Sequence, residues 1–311
     1  MAKNQSKTAQ IVTLGCSKNT VDSEYLLYQL QQRGYRVLDG ETEQGADVVI
    51  INTCGFIHDA MEESVNTILQ YAEEKNRGNI NQLIVMGCLS QRYREELKKD
   101  IPEADHFYGV YEMDALVNQL DPSNRFQNSY KRLLTTPSHY AYLKIAEGCS
   151  RRCAFCAIPL IKGNYHSRTP DTLIEETRGL LDQGIKELIL IAQDISYYGK
   201  DLSGQPGLRK LLEQLLSFDQ LNWIRLLYAY PESFPHNILP LMREDARVCR
   251  YLDIPVQHIS DHMLKTMRRG ANEKSTRRLL ETIKKEVPGI ALRTSLLVGH
   301  PGESEEDFEN L

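Results

Sequence analysis

Tyr140-Ala-Tyr-Leu-Lys-Ile-Ala-Glu-Gly-Cys149-Ser-Arg-Arg-Cys153-Ala-Phe155-Cys156-Ala-Ile-Pro159 reads as a strand that runs into a loop bearing three cysteines within eight residues. Three thiolates on one short loop can hold three irons of a cubane cluster and leave the fourth iron open. An open iron beside a pocket is a site for chemistry, whereas a fully ligated cluster is more often a relay or a staple. The competing reading is zinc, which in structural sites takes four closed ligands. His139 and His166 each lie ten residues from the nearest of these cysteines, far for a compact knuckle. The spacing favours the open cluster.

Outward from this loop, three further cysteines share a different context. Cys16 ends Gln10-Ile-Val-Thr-Leu-Gly-Cys, Cys54 ends Asp47-Val-Val-Ile-Ile-Asn-Thr-Cys, and Cys88 ends Gln82-Leu-Ile-Val-Met-Gly-Cys. Short apolar, β-branched runs followed by helical patterns read as buried parallel strands. Ligands of open α/β sheets collect outside the carboxyl ends of the strands, so three cysteines carried there can converge on a second cluster. Alternatively each is a small buried hydrophobe, as free cysteine commonly is. Cys249 has no such context and reads as a core residue.

The Cys-x3-Cys-x2-Cys loop after a strand resembles the signature of the radical S-adenosylmethionine superfamily. Two three-cysteine sets in this order resemble its methylthiotransferases, over essentially the whole chain. The words Gly15-Cys-Ser-Lys-Asn, Asn52-Thr-Cys-Gly-Phe-Ile, Gly87-Cys-Leu-Ser-Gln-Arg-Tyr, Trp223-Ile-Arg-Leu-Leu-Tyr-Ala-Tyr-Pro, Tyr251-Leu-Asp-Ile-Pro-Val-Gln-His and Met267-Arg-Arg-Gly are similar to the branch that modifies an aspartate of the twelfth small-subunit ribosomal protein. The resemblance implies two 4Fe-4S clusters, one on Cys149, Cys153 and Cys156 and one on Cys16, Cys54 and Cys88. It also implies S-adenosyl-L-methionine chelated to the open iron of the former and split by one electron into methionine and a 5′-deoxyadenosyl radical. That radical would take a hydrogen from the β-carbon of the aspartate, and the second cluster would present the sulfur that is transferred. Partners implied are the ribosomal protein or the assembled small subunit, an electron donor such as flavodoxin or ferredoxin, and a sulfur donor. A transfer RNA adenosine methylthiotransferase and a non-catalytic iron–sulfur or zinc scaffold are the alternatives.

Composition agrees with a soluble enzyme. The 311 residues suffice for two cores. No apolar run approaches the roughly eighteen residues of a membrane span, and the polar arm Met1-Ala-Lys-Asn-Gln-Ser-Lys7 lacks the apolar stretch of a signal peptide. Seven cysteines without a disulfide scaffold suit a reducing, cytoplasmic setting. The net charge of −5 argues against a nucleic-acid substrate, although a basic patch fits inside an acidic total.

The expected fold class is α/β: an open parallel-sheet domain over residues 1–120, a polar linker over 121–139 containing Pro122, Asn124 and Pro137, and a partial βα barrel over 140–311. Helices are predicted from Asp22 to Gly34, with Tyr25, Leu26 and Leu30 on one face, from His58 to Asn76, and from Ser90 onward. Barrel strands are predicted near 140–147, 187–193, 223–229, 251–256 and 291–298. The family's barrel has six units followed by a small substrate-gripping β-barrel, so the chain reads as truncated at its carboxyl end.

Working groups of such barrels sit at the carboxyl ends of strands. This nominates Gln193, Asp194, Glu232, Gln257 and Arg293, with Gly299, Gly302 and Glu303 of the turn Gly299-His-Pro-Gly302-Glu303, as cofactor contacts, and His258 as a further strand-end residue. The resemblance puts Phe155 beside the adenine and lets the backbone approach the cofactor at Gly299 and Gly302. His300 departs from the family's turn and reads as an ordinary loop histidine. Arg151 and Arg152 read either as neutralising a cluster or an acidic substrate, or as facing solvent.

Overall fold

The computed structural model describes residues 7–38, 45–122, 130–202 and 207–311. The amino-terminal arm before residue 7 and Asn124 of the expected linker lie outside the described residues. The chain divides into two compact units, Met1–Thr135 with Leu160–Lys162, and Thr136–Pro159 with Gly163–Leu311.

The first unit runs β1 (Thr8–Thr13), α1 (Ser17–Gln32), β2 (Arg36–Val37), β3 (Val48–Thr53), α2 (His58–Asn76), β4 (Gln82–Gly87), α3 (Cys88–Asp100), β5 (His106–Tyr108) and α4 (Met113–Leu120). Its strands are all parallel, in the order β2-β1-β3-β4-β5. β3 is apolar at successive positions because helices cover both faces of the sheet. Val48 and Ile50 join the core containing Leu26 and Leu30 of α1 and Leu116 of α4. Val49 and Ile51 join the opposite core with Ile68 of α2 and Leu97 of α3. The strand order reverses between β1 and β3, which opens a crevice beyond their carboxyl ends.

Helix α2 has the span predicted from the sequence, but α1 begins at Ser17 rather than Asp22. Its first turn carries Lys18 and Asn19, polar yet buried. The Asn19 side-chain amide donates to the carbonyls of Leu14 at 2.8 Å and Thr53 at 3.1 Å. Residues that tie strand ends together leave no hydrophobic period to read. Helix α3 likewise starts at Cys88, two residues before Ser90. Within the stretch expected to be linker, Arg132 is buried against Glu24 of α1, Nη1 to Oε2 at 3.1 Å, and Thr135 N donates to the same carboxylate at 2.9 Å. Tyr130 to Thr135 therefore belong to the first unit.

The second unit contains β6 (Tyr140–Lys144), β7 (Ala146–Glu147), the start of α5 (Ile158–Lys162, whose residues Leu160–Lys162 group with the first unit), β8 (His166–Ser167), α6 (Pro170–Asp182), β9 (Glu187–Ile191), α7 (Leu208–Leu215), β10 (Trp223–Leu226), α8 (Leu239–Glu244), β11 (Val248–Asp253), α9 (Asp261–Thr266), α10 (Glu273–Glu286), β12 (Ala291–Arg293) and α11 (Glu305–Glu309). Strands β6, β9, β10, β11 and β12 pair in parallel in chain order, like staves of an open βα barrel. β7 and β8 form a separate antiparallel pair. The strands stop short of the apolar runs that announce them. β10 ends at Leu226, and Tyr228 beyond it takes φ of +66°, which no strand residue does. Residues past the strand ends leave the sheet. β11 starts at Val248, and Cys249 within it is half-buried rather than a core residue.

Candidate cluster and cofactor sites

In the first unit Cys16 is the N-cap of α1, Cys54 follows β3 directly, and Cys88 opens α3 directly after β4. All three thus stand at one end of the sheet, two of them flanking the switch point between β1 and β3. Glycines beside the cysteines bring these segments close. A Cβ on Gly15 would lie 2.7 Å from Cys54 Cβ and 3.0 Å from its Sγ, and one on Gly55 would lie 2.8 Å from the Leu89 backbone. Side chains missed by sequence reasoning fix the strand ends. Asn52 Nδ2 donates to Asn19 O and Ser23 Oγ, each at 3.0 Å, and Ser64 Oγ accepts from Cys54 N at 3.0 Å. The quoted word Asn-Thr-Cys contained Asn52, but nothing in it told of Ser64, in the second turn of α2.

Cys54 and Cys88 are buried and Cys16 is exposed. Burial pushes the Cys88 thiol up to about 12, with the neighbouring Cys16 and Cys54 adding to the rise while Lys162 opposes it. Burial raises Cys54 as well. Such sulfurs keep their protons at neutral pH until a metal cation displaces them. The residues fit a metal group bound from the open end of the sheet.

In the second unit the loop from Gly148 to Cys156 is held by its backbone. Cys149 N donates to Gly163 O at 3.1 Å, Cys156 N to Cys153 O at 3.1 Å, and Ala154 N to Met267 O at 3.0 Å. Gly148 has φ of +69°, and any side chain there would run into the Asn164 carbonyl, so only glycine serves. Cys149 and Cys153 are buried and Cys156 partly so. Burial pushes the Cys149 thiol up to about 11 and raises Cys156. The hydroxyl of Tyr165 is buried with no hydrogen-bond partner among the described residues. An orphaned buried polar atom on a residue whose backbone N–H donates to Ser150 Oγ of the cysteine loop at 3.1 Å is what a site shaped for an additional group leaves. Among the described residues no three His, Cys, Asp or Glu side chains close round a single point. A cubane does not require it, because each thiolate grips a different iron.

Asp194 and Glu232 converge on Arg151, whose Nε is 3.1 Å from Asp194 and whose Nη1 is 2.7 Å from Glu232. Arg151 is therefore an ion-pairing residue of the site and not a solvent-facing one. Asp194 also caps the single turn Ile195–Tyr197 by accepting from Ser196 N at 2.8 Å. Burial raises its carboxyl above the ordinary value, and Arg151 opposes that rise. Gln193 is half-buried two residues past β9. Gln257 has φ of +71° and bonds through its backbone to Ser295 and Leu297.

Glu303 is held by the Gly299 N–H and by His258, Nε2 to Oε1 at 3.1 Å. His258 is fully buried, and its Nδ1 accepts from Ser260 N at 3.0 Å, which leaves the ring proton on Nε2 facing Glu303. Gly299 and Gly302 have φ of +76° and +91° with nothing of the chain within 4 Å of an added Cβ. Their left-handed turn, and not close packing within the chain, calls for glycine. Phe155 is half-buried with its ring edge-on to His300, centroids 6.5 Å apart. His300 thus meets the cysteine loop, a contact no local pattern announces. Arg293 ends β12, is exposed, and pairs with the buried Asp253 at 2.9 Å.

Comparison with known proteins agrees with this architecture. The radical SAM superfamily model matches residues 143–311. The model described as uncharacterized protein family UPF0004 matches residues 8–109. The ribosomal protein uS12 methylthiotransferase RimO of Parabacteroides distasonis is 50% identical over 311 residues, all of this chain and 71% of that protein. Its counterpart from Flavobacterium psychrophilum is 50% identical over 301 residues, 97% of this chain and 69% of the relative. Among solved structures, the radical S-adenosylmethionine methyltransferase TsrM of Kitasatospora setae, with cobalamin and a 4Fe-4S cluster bound, superposes with a TM-score of 0.69 at 16% identity. It covers 97% of this chain and 71% of that chain. The cobalamin-dependent radical enzyme OxsB gives 0.61 at 14% identity over 94% of this chain and 49% of its own. Those two likenesses speak for the fold alone. With a radical SAM domain behind a UPF0004 domain and half its residues shared end to end with such enzymes, the chain belongs to the radical SAM methylthiotransferase family typified by RimO.

Proposed function

We propose that the chain transfers a methylthio group to the β-carbon of an aspartate in ribosomal protein uS12, using two 4Fe-4S clusters and S-adenosylmethionine. The observation that carries the two-site reading is the placement of two cysteine triplets, one at the strand ends of the first unit and one on the loop after β6 in the second. Bound at these sites, the clusters and S-adenosylmethionine supply one-electron bond cleavage and sulfur transfer, chemistry that no side-chain acid or base offers for an unactivated C–H bond.

The chain's own residues bind and orient. Cys149, Cys153 and Cys156 hold one cluster, and Cys16, Cys54 and Cys88 the other. Arg151 fixes the carboxylates of Asp194 and Glu232, which with Gln193 and Gln257 would bind polar groups of the cofactor. His258 and the Gly299 N–H hold Glu303 in the turn, and Phe155 with His300 offers an aromatic edge to the adenine. Arg293 remains tied to Asp253 at the rim. An electron donor such as flavodoxin or ferredoxin and a separate sulfur donor complete the reaction.

Iron and acid-labile sulfide after anaerobic reconstitution test this assignment. About eight irons are expected in the intact chain and about four in each variant with one triplet changed to alanine. About four irons in the intact chain, lost only with the Cys149 set, would remove the second site.

A further inference from the structure

The segment Met267-Arg-Arg-Gly270 carries a cation whose place is unexplained by anything above. Arg269 is 5% exposed. Its Nη2 donates to Pro255 O at 2.6 Å, and its guanidinium lies 4.2 Å from the centroid of the Tyr230 ring. The hydroxyl of Tyr230 donates to the Arg269 carbonyl at 2.6 Å. Arg151 lies over the same ring, also at 4.2 Å, but is neutralised by Asp194 and Glu232. Among the described residues no carboxylate pairs with Arg269. A buried guanidinium without a counter-charge is costly, and such charges are as a rule paired. The group it does meet is Cys153, with Nη1 3.3 Å from Sγ. The same segment is stitched to the cysteine loop by the bond from Ala154 N to Met267 O.

We propose that Arg269 is a positioning residue for the cluster on Cys149, Cys153 and Cys156. It donates a charge-assisted hydrogen bond to the Cys153 thiolate and raises the reduction potential of the cluster held there. This inference rests on reading these cysteines as cluster ligands. The physical reason is charge. Reduction adds one electron, taken from an external one-electron donor, to a group already negative through its thiolates. A fixed cation bonded to a ligand sulfur stabilises the reduced form more than the oxidised one. Net charge and hydrogen bonds to the sulfurs are among the determinants of cluster potentials. Arg269 comes from a segment 116 residues downstream of Cys153. Its packing against Tyr230 and its bond to Pro255 O hold the donor towards Cys153.

The test uses the full chain with Cys16, Cys54 and Cys88 changed to alanine, so that one cluster is observed. Its midpoint potential is titrated with dithionite and mediators and read by electron paramagnetic resonance. Arg269→Met is expected to weaken the reduced state at least tenfold relative to the oxidised one, a negative shift of about 59 mV for one electron. Arg269→Lys, which keeps the charge, is expected to shift less. An iron-loaded Arg269→Met variant with the parental midpoint overturns the proposal. If Arg269→Met fails to hold iron, the parent labelled with nitrogen-15 in its arginine side chains decides. A guanidino nitrogen coupling to the reduced cluster, abolished in Arg269→Lys, supports the bond, and its absence from the parent overturns it. A parent without iron would sink the cluster assignment itself, a separate outcome.

Discussion

Changing Gly87 to alanine should loosen the end of β4 far more than the same change at another left-handed glycine. Gly87 has φ of 100° and ψ of −156°, a region used essentially by glycine alone and costing other residues about 1–3 kcal/mol. The added Cβ would also lie 2.5 Å from Asn52 Oδ1, 2.7 Å from Thr53 O and 2.9 Å from Thr53 N. Two of these atoms are backbone. The third belongs to an amide pinned by bonds to Asn19 O and Ser23 Oγ, so none can yield freely. Overpacking of this kind costs about 1–3 kcal/mol, giving about 2–6 kcal/mol in all. Gly34, with φ of +77° and no atom within 4 Å of an added Cβ, is the control. It should lose only the left-handed penalty of about 1–2 kcal/mol. Hydrogen exchange of the metal-free chain, read by mass spectrometry on peptides spanning β4, measures the difference. Gly87→Ala should lower protection there roughly thirtyfold or more, and clearly beyond Gly34→Ala. Equal protection in the two variants would refute the close approach of β3 and β4 on which the Cys54–Cys88 juxtaposition depends.

Two other outcomes follow from ionic contacts. Arg132→Met leaves Glu24 buried without its guanidinium partner and should cost about 3–5 kcal/mol in urea unfolding. Adding Glu24→Leu should restore part of that loss, and a double variant less stable than the single would speak against the pair. Asp307 accepts from the Ser304 hydroxyl and backbone and from Ser260, and sits 3.1 Å from His262. These bonds, Ser260 first, hold its carboxyl well below the usual range. A depressed folded value means its contribution is full above the free carboxyl's value near pH 4 and fades as pH falls further. Protection factors at α11, corrected for the pH dependence of intrinsic exchange, should therefore fall below about pH 4, and Asp307→Asn should abolish that acid dependence. An unchanged pH profile in Asp307→Asn would contradict it.

Much of the candidate site's scaffold was legible because its anchors are local. Apolar β-branched runs ending in Cys16, Cys54 and Cys88 announced buried strands, and the Cys149 loop announced itself by spacing. The five barrel strands were countable for the same reason, since each is a short apolar run between helical patterns. What stayed hidden is long-range. The order β2-β1-β3-β4-β5 depends on which strands pair, and no run of residues encodes that. Arg269 reaches Cys153 from another strand–helix unit, and Arg151 collects carboxylates 43 and 81 residues away. The start of α1 was missed because Lys18 and Asn19 are buried by hydrogen bonding rather than by hydrophobicity. Strand ends were overestimated for a similar reason. Residues such as Tyr228 keep their apolar character while leaving the sheet.

The two cysteine triplets differ in when they can exist. Cys149, Cys153 and Cys156 lie within eight residues, so closing them together costs little chain entropy and needs hardly any of the fold. Cys16 and Cys88 are separated by seventy-one intervening residues, and they meet only after β1, β3 and β4 have paired in parallel. Such non-local pairing is slow and late in folding. In the refolding chain the Cys149 loop is therefore complete early, whereas the strand-end triplet is assembled only once the first unit has closed.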